Sequence, residues 1–172
     1  MTARSLPRLT LVLGGARSGK SRHAEQLVMQ APPTWVYLAT AQALDGEMQR
    51  RIDQHRSRRD PRWRTMEVPL DIAEAIAAPS SGAMLLDCLT LWLSNALLAK
   101  RNLAAEGDRL IAALSVAPGP LVVVSNEVGL GIVPDTPLGR EFRDAQGQLN
   151  QRVAAIADHV LLMAAGLPLS LK

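Results

Sequence analysis

Four residues near the amino terminus have the types and spacing of a phosphate-binding loop. Gly14, Gly19, Lys20 and Ser21 follow the pattern G-x-x-x-x-G-K-S, in which glycines permit a tight turn and successive backbone N–H groups face an anion at a helix start. We predict that Lys20 reaches the β- and γ-phosphates of a nucleotide and that the Ser21 hydroxyl coordinates Mg²⁺. The alternative is a plain glycine turn between a strand and a helix.

Two acidic residues could complete a nucleotide site. Asp87 follows the apolar residues Met84–Leu86, which is the arrangement of a Walker B aspartate that helps to hold Mg²⁺. Alternatively, Asp87 caps the helix that follows it. Glu127 comes after a second apolar segment and could bind metal, act as a general base toward a hydroxyl nucleophile, or be an ordinary loop acid. The Asn-Lys-x-Asp motif that a signalling GTPase would need is absent from the sequence.

An arginine-rich segment holds the third candidate group. Between Glu47 and Arg64 there are seven arginines and three acids, a larger surplus than the net charge of +3 for the whole chain. A positive patch this concentrated suggests a polyanionic ligand. His55 lies within it. Either it belongs to a solvated surface helix or it is a covalent nucleophile, a neutral imidazole whose neighbouring arginines bind phosphate oxygens.

Apolar segments alternate with helix-compatible segments along the chain, and together they must position these groups. We expect strands at 9–13, 35–39, 63–67, 83–87, 121–125 and 159–163, and a hairpin strand at 167–171. This alternation predicts an α/β fold with a mainly parallel sheet covered on both faces. The prediction is a three-layer sandwich of the RecA-like P-loop NTPase type with a short antiparallel strand at the C-terminus. Ligands of such sheets lie beyond the carboxyl ends of the strands.

Length and composition limit the class of protein. A chain of 172 residues with 48% hydrophobic and 20% charged residues predicts one globular domain over 1–172. Because Cys88 is the single cysteine, we expect a reducing compartment and no disulfide framework. The start of the chain has no apolar signal core and no segment is long enough to span a membrane. We therefore expect a cytoplasmic protein.

Several motifs together resemble one enzyme family over essentially the whole chain. The two most specific are GGARSGKSR at Gly14–Arg22 and SNEVGLGIVP at Ser125–Pro134. The others are Arg51-Ile52 before His55, Trp63–Thr65, Leu85–Thr90, Phe142–Asp144 and Asn150-Gln151. In this combination the chain resembles the bifunctional adenosylcobinamide kinase/adenosylcobinamide-phosphate guanylyltransferase family of cobalamin biosynthesis.

The resemblance implies two reactions. In the first, ATP or GTP phosphorylates the aminopropanol hydroxyl of adenosylcobinamide. In the second, GTP guanylylates an enzyme histidine with loss of pyrophosphate, and the GMP passes to adenosylcobinamide phosphate to give adenosylcobinamide-GDP. The guanylylated histidine of the family follows the Arg-Ile pair, so the resemblance assigns this role to His55.

The resemblance also implies site residues and partners. Carried over by position, GTP contacts fall on Gly15, Ala16, Arg17, Ser18, Gly19, Lys20, Ser21, Arg22, Ala39, Thr40, Ala41, Arg56, Ser57, Arg58, Arg59, Glu67 and Asp87. Mg²⁺ would be bound by Ser21 and Asp87, although some relatives have Glu at the second position. His55 and Lys20 would be catalytic, with Glu127 as a base or metal ligand. A trimeric assembly and a corrinoid substrate follow from the same resemblance.

Two competing functions remain at this point. The first is a P-loop small-molecule kinase that performs only the phosphorylation, with His55 merely binding phosphate. The second is a nucleotide-dependent nucleic-acid-binding protein that uses the arginine patch with Trp63 as a stacking platform. Since the chain has only five aromatic residues and Trp63 alone lies in the patch, we expect no nucleic-acid partner.

Overall fold

The computed structural model describes residues 6–43, 46–57, 59–79 and 82–172, and at positions 47, 48, 51, 54 and 55 it describes the helical backbone alone. The strands in this part of the chain are Leu9–Gly14 (β1), Trp35–Ala39 (β2), Trp63–Glu67 (β3), Met84–Asp87 (β4), Leu121–Asn126 (β5), His159–Ala164 (β6) and Leu167–Ser170 (β7). The helices are Lys20–Val28 (α1), Gly46–Ser57 (α2), Ile72–Ala77 (α3), Leu89–Leu98 (α4), Leu103–Ser115 (α5) and Pro137–Ile156 (α6).

All seven of these strands form one sheet, in the order β3-β2-β4-β5-β1-β6-β7. Every neighbouring pair is parallel except β6 and β7, which are antiparallel. The predicted mainly parallel sheet with an antiparallel strand at the C-terminus is therefore confirmed. The predicted bounds of β2 and β3 coincide with those observed, because both are short apolar or alternating runs flanked by breaking residues.

Helices cover both faces of the sheet and produce three layers. On one face, Ala24 and Val28 of α1 pack with Val12, Trp35 and Leu85. The opposite face carries the larger core, to which α3, α4, α5 and α6 contribute Ile72, Trp92, Leu110 and Leu149. Because both faces are covered, all six residues of β1 and five of the six in β5 are buried, as expected for parallel strands.

Strand alternation places the candidate site residues on the α1 side of the sheet. Tyr37 pairs with Thr65 and Ala39 with Glu67 across β2 and β3, and Asp87 pairs with Ala39 across β4 and β2. Successive side chains point to opposite faces, so residues two apart along a strand share a face. These five side chains therefore gather at the carboxyl end of the sheet.

The turn after β1 requires glycine because β6 lies close to it. Gly14 has φ 153°, and a Cβ atom there would lie 2.7 Å from the carbonyl oxygen of Met163 and 2.6 Å from Ser18 Oγ. Gly19 precedes α1 in the left-handed conformation, with φ 94°. The two glycines thus close the loop between β1 and α1, as their spacing predicts.

Within the described part of the chain, none of the helices has the length and apolar character needed to cross a membrane.

Replacing Gly14 tests the close approach of β1 and β6. We expect Gly14→Ala to lower the free energy of unfolding by about 2–3 kcal/mol, because the new methyl group meets a backbone carbonyl. The matched control is Gly147→Ala inside α6, where an added Cβ has no atom within 4 Å. That change should raise stability by about 0.5–1 kcal/mol. Urea unfolding followed by circular dichroism measures both, and equal stability of Gly14→Ala and wild type would contradict this account.

Candidate active site

A cavity of about 590 Å³ lies at the carboxyl ends of β2, β3 and β4. Its volume is within the range of small-molecule sites. Seven residues to which the family resemblance assigns nucleotide or metal binding line it: Ser21, Ala39, Ala41, Arg56, Arg59, Glu67 and Asp87. The structure therefore brings together the end of the phosphate loop, the predicted Walker B acid and the arginine-rich segment.

The phosphate loop holds its lysine inward. Lys20 is buried at 8% exposure, and its Nζ donates a hydrogen bond to the carbonyl oxygen of Gly15 at 2.7 Å. Burial lowers the pKa of Lys20 below its ordinary value of 10.5, against the raising effect of Cys88 and Asp87. Ser18 Oγ is buried without a hydrogen-bond partner. The remaining predicted contacts of this loop, Gly15, Ala16, Arg17, Gly19 and Arg22, are exposed.

The Asp87 carboxylate lies against the hydroxyl of a tyrosine. Tyr37 donates a hydrogen bond from its hydroxyl to Asp87 Oδ2 at 2.8 Å, and both residues line the cavity. The residue that caps α4 is Cys88, so the alternative interpretation of Asp87 as a helix cap is wrong. A carboxylate that lines the cavity together with the Ser21 hydroxyl is suited to a metal bound beside a phosphate chain.

Thr40 lies beneath the cavity wall instead of lining it. It is fully buried; its hydroxyl donates to the carbonyl of Cys88 and accepts from the Cys88 N–H, both at 2.8 Å. Its own carbonyl accepts a hydrogen bond from Asn95 Nδ2. Thr40 therefore fastens the end of β2 to the end of β4, while Ala39 and Ala41 on either side reach the cavity.

The arginine-rich segment contributes two arginines to the cavity, Arg56 and Arg59, beside Gln49, Ile52 and Asp53. Arg56 is exposed on α2, whereas the Arg59 side chain is only 9% exposed and pairs with Glu25 at 3.8 Å. The guanidinium carbon of Arg59 lies 3.4 Å from the centre of the Tyr37 ring, and Nη1 donates to Thr65 Oγ1 at 3.1 Å. Ser57 ends α2 and is exposed.

The predicted nucleophile lies on the helix that faces this cavity. His55 is a backbone position of α2 (Gly46–Ser57), between Ile52 and Arg56, which both line the cavity. Its side chain and the whole of Arg58 lie outside the described residues. The roles predicted for these two residues stay predictions.

Glu127 lies next to the cavity wall, which is formed here by Asn126. Its N–H donates to the carbonyl of Gly14 at 3.1 Å, and its Oε1 accepts from the N–H of Gly129 at 3.0 Å. The carboxylate therefore braces the start of the loop after β5. Its predicted role as base or metal ligand stays a prediction.

A buried polar cluster fixes the end of β5. Ser125 Oγ lies 2.7 Å from Asn150 Oδ1, and Gln146 Nε2 donates to both atoms at 2.9 Å. Asn150 Nδ2 donates to the carbonyl of Asn126, whose N–H donates to Thr90 Oγ1. The backbone of Asn126 is thus held from α6 on one side and from α4 on the other.

Among the described residues, no group of three or more His, Cys, Asp or Glu side chains could hold a metal ion by itself. Mg²⁺ usually keeps several waters and binds through one or two carboxylates together with substrate phosphates. Ser21 and Asp87 are oxygen donors that line one cavity, and they are the residues that could hold it.

Eleven lining residues are missing from the sequence prediction, and among them Tyr37, Thr65 and Asn126 carry polar groups at the ends of strands. Strand alternation offers a signal for the first two, because Tyr37 precedes Ala39 by two positions and Thr65 precedes Glu67 by two. Asn126 is signalled only by its position at the end of β5.

Trp63 is buried at 9% exposure, with its ring centroid 5.4 Å from that of Trp35 and 5.9 Å from that of Tyr37. It is part of a core cluster and is not presented as a platform for bases. The nucleic-acid alternative loses the stacking surface on which it depends.

Comparison with known proteins identifies the family. The family model described as cobinamide kinase / cobinamide phosphate guanyltransferase matches residues 10–171. The chain belongs to this family. It is 48% identical over 166 residues to the bifunctional adenosylcobalamin biosynthesis protein CobP of Pseudomonas aeruginosa, covering 94% of this chain and 96% of the relative. It is 42% identical over 181 residues to CobU of Salmonella typhimurium, which bears the same description, covering 95% and 99%.

Membership of the cobinamide kinase / cobinamide phosphate guanyltransferase family confirms the predicted enzyme class. Solved structures confirm the P-loop NTPase-like fold. The RadB recombinase matches 91% of this chain and 74% of its own with a TM-score of 0.53 at 18% identity. A type III secretion ATPase of pathogenic bacteria matches 96% and 57% with a TM-score of 0.56 at 12% identity. At these identities the likeness concerns the fold alone.

Lys20→Met tests whether Lys20 contributes to nucleotide binding and not to the stability of the fold. Nucleotide affinity should fall about 100-fold, because charge-assisted hydrogen bonds are lost. Stability at pH 7 should stay within about 1 kcal/mol of wild type or exceed it, because a buried charge is removed. Calorimetry with nucleotide and urea unfolding measure the two quantities.

The pH dependence of this stability difference follows from the lowered pKa of Lys20. Between that pKa and 10.5 the unfolded wild type binds more protons than the folded protein, so wild-type stability rises with pH relative to Lys20→Met. The cost of the buried charge is fully present below this window. A fall in wild-type stability relative to Lys20→Met on going from pH 7 to pH 10 would contradict the assignment.

Asn150→Ala tests the polar cluster behind β5. It should lower the free energy of unfolding by about 2–3 kcal/mol, because Gln146, Ser125 and the Asn126 carbonyl lose a buried partner. Gln148→Ala, on the exposed side of the same helix, is the control and should change it by less than about 0.5 kcal/mol. Equal effects of the two changes in urea unfolding would show that the cluster contributes nothing specific.

Proposed function

We propose that the chain first phosphorylates adenosylcobinamide with ATP or GTP. It then transfers GMP from GTP through a covalent GMP-histidine at His55 to adenosylcobinamide phosphate, giving adenosylcobinamide-GDP and pyrophosphate. The observation that carries this proposal is a single cavity lined by Ser21, Asp87 and Arg56. These residues belong to the phosphate loop, to the Walker B strand and to the helix that contains His55.

The phosphorylation half of the proposal uses the phosphate loop. Lys20 exchanges its hydrogen bond to the Gly15 carbonyl for the β- and γ-phosphate oxygens. Mg²⁺, held by Ser21 and Asp87, would neutralise charge on the transferring phosphoryl group. Glu127 is our candidate base for the corrinoid hydroxyl, because it directly follows the cavity residue Asn126.

The transfer half uses the arginine-rich helix. An imidazole nitrogen of His55 attacks the α-phosphorus of GTP, the bond to the bridging oxygen of the β-phosphate breaks, and pyrophosphate leaves. An oxygen of the corrinoid phosphate then attacks the same phosphorus, and the phosphorus–nitrogen bond breaks. Arg56 and Arg59 bind phosphate oxygens during both steps.

Two other nucleophile types in the cavity are poorly suited to the covalent step. Burial, with a contribution from Asp87, raises the pKa of the Cys88 thiol from 9.0 to about 12. Burial also raises the pKa of Tyr37 well above 10. Both groups stay protonated near neutral pH, and a thiol or phenol is a weak nucleophile in that form.

We also propose that one domain, 1–172, carries both reactions, that the protein is cytoplasmic, and that it assembles as a trimer. Large apolar side chains are available at the surface for such contacts, notably Leu130 at 86%, Ile132 at 96% and Leu167 at 71% exposure. Exposed apolar side chains of this size commonly mark contact surfaces when they are contiguous.

The covalent step is tested with GTP labelled at the α-phosphate, Mg²⁺ and no corrinoid. The denatured wild-type protein should carry an acid-labile, base-stable label, as expected for a phosphoramidate, and His55→Ala should carry none. The chain has three histidines, so His23→Ala and His159→Ala are the matched controls and should keep the label.

Retention of the label in His55→Ala would show that another residue is the nucleophile. No label in wild type, with intact nucleotide binding and transfer of the γ-phosphate to adenosylcobinamide, would favour the alternative of a P-loop kinase without the covalent step.

A further inference from the structure

We propose that Tyr37 is a positioning residue that fixes the Asp87 carboxylate for Mg²⁺ and links it to Arg59 of the arginine-rich segment. Nothing in the phosphate-loop or Walker B patterns assigns a role to this tyrosine. The inference rests on the proposed function and deepens it, since it concerns how one site arranges its metal and its phosphate-binding arginine.

The first support is the hydrogen bond between the two side chains. Tyr37 is 4% exposed, and its hydroxyl donates to Asp87 Oδ2 at 2.8 Å. A carboxylate with one oxygen held by a buried donor cannot rotate freely about its terminal bond. Partners of this kind orient metal-binding carboxylates in many proteins, and their loss commonly weakens metal binding 10- to 100-fold.

The second support is a contact between Arg59 and the face of the Tyr37 ring. The Arg59 guanidinium carbon lies 3.4 Å from the Tyr37 ring centroid, and Arg59 also donates to Thr65, the residue paired with Tyr37 across β2 and β3. A cation over a desolvated aromatic face is attracted to it. Tyr37 therefore contacts Asp87 through its hydroxyl and Arg59 through its ring.

The ring itself is fixed independently of the cavity. Trp63 packs edge-on against Tyr37 at 5.9 Å between centroids, and both belong to the buried cluster on the α1 face. A phenylalanine at position 37 would keep these contacts and the stacked arginine while removing only the hydroxyl. Tyr37→Phe is therefore a change confined to the bond with Asp87.

The test measures binding of Mn²⁺, an electron-paramagnetic stand-in for Mg²⁺, to the full chain saturated with a non-hydrolysable GTP analogue. For Tyr37→Phe we expect a 10- to 100-fold higher Kd for Mn²⁺, with metal-free nucleotide affinity within about twofold of wild type. Trp63→Phe is the control, because it disturbs the same aromatic cluster without touching Asp87, and it should keep the wild-type Kd for Mn²⁺.

A spectroscopic measurement keeps the proposal testable should the variant fold poorly. Tyr37 is the only tyrosine in the chain, so protein labelled with ¹³C at the tyrosine ζ-carbon gives one resonance. That resonance should shift in Asp87→Asn and again when wild type binds Mg²⁺ with the GTP analogue.

The outcomes separate this inference from the proposed function. Wild-type Mn²⁺ affinity in Tyr37→Phe, or a ζ-carbon resonance unmoved by both Asp87→Asn and the Mg²⁺–nucleotide complex, would overturn the positioning role alone. Absence of metal-dependent nucleotide binding in wild type would overturn the role together with the proposed function.

Discussion

The parallel register of β2, β4, β5 and β1 is the constraint on which the site depends. It brings the end of β4 level with the end of β2 and the end of β5 level with the end of β1. Asp87 therefore lies opposite Ala39, and Asn126 opposite Gly14. Because parallel strands need long connections, each of these ends is followed by a loop or helix that can carry chemistry. The phosphate loop, the acid and the arginine-rich segment meet for this reason.

The layers, the strand bounds to within one residue, and the cavity residues Ser21 and Asp87 could be predicted from local patterns. Local patterns sufficed, because a glycine loop after an apolar strand and an acid at the end of another depend on only a few neighbouring residues. The other predicted cavity residues came from the family resemblance. The contact between Tyr37 and Asp87 could not be predicted in this way, because β2 lies beside β4 although β3 intervenes in the chain. Strand order is a property of the whole sheet. The position of Arg59 could not be predicted locally either. A charged side chain is expected in solvent or against a ligand, whereas the Arg59 guanidinium packs on the Tyr37 ring.

The cluster of Ser125, Gln146 and Asn150 shows a second limit of local patterns. The apolar spacing of α6 predicts a stripe through Leu149 and Val153 as its buried face. In the structure Gln146 and Asn150 are also buried. Burying an amide costs free energy unless it is hydrogen-bonded, and here Gln146 Nε2 and Asn150 bond to each other and to Ser125 and Asn126 of β5. A polar residue inside a helix is thus explained by a strand that precedes it by more than twenty residues.

The hydrogen bond from Lys20 to the Gly15 carbonyl has a consequence for ligand selection. The Gly15 carbonyl competes with any ligand for the Lys20 ammonium group. A ligand must displace this carbonyl before it can bind the ammonium group. When a single anion binds, Lys20 only exchanges the carbonyl acceptor for the anion, so the net gain in binding free energy is small. A polyphosphate chain also offers oxygens to the exposed backbone N–H groups of the same loop. These additional contacts can offset the free energy needed to break the hydrogen bond between Lys20 and Gly15. The loop thereby favours chains of phosphate over isolated anions before any base or sugar is recognised.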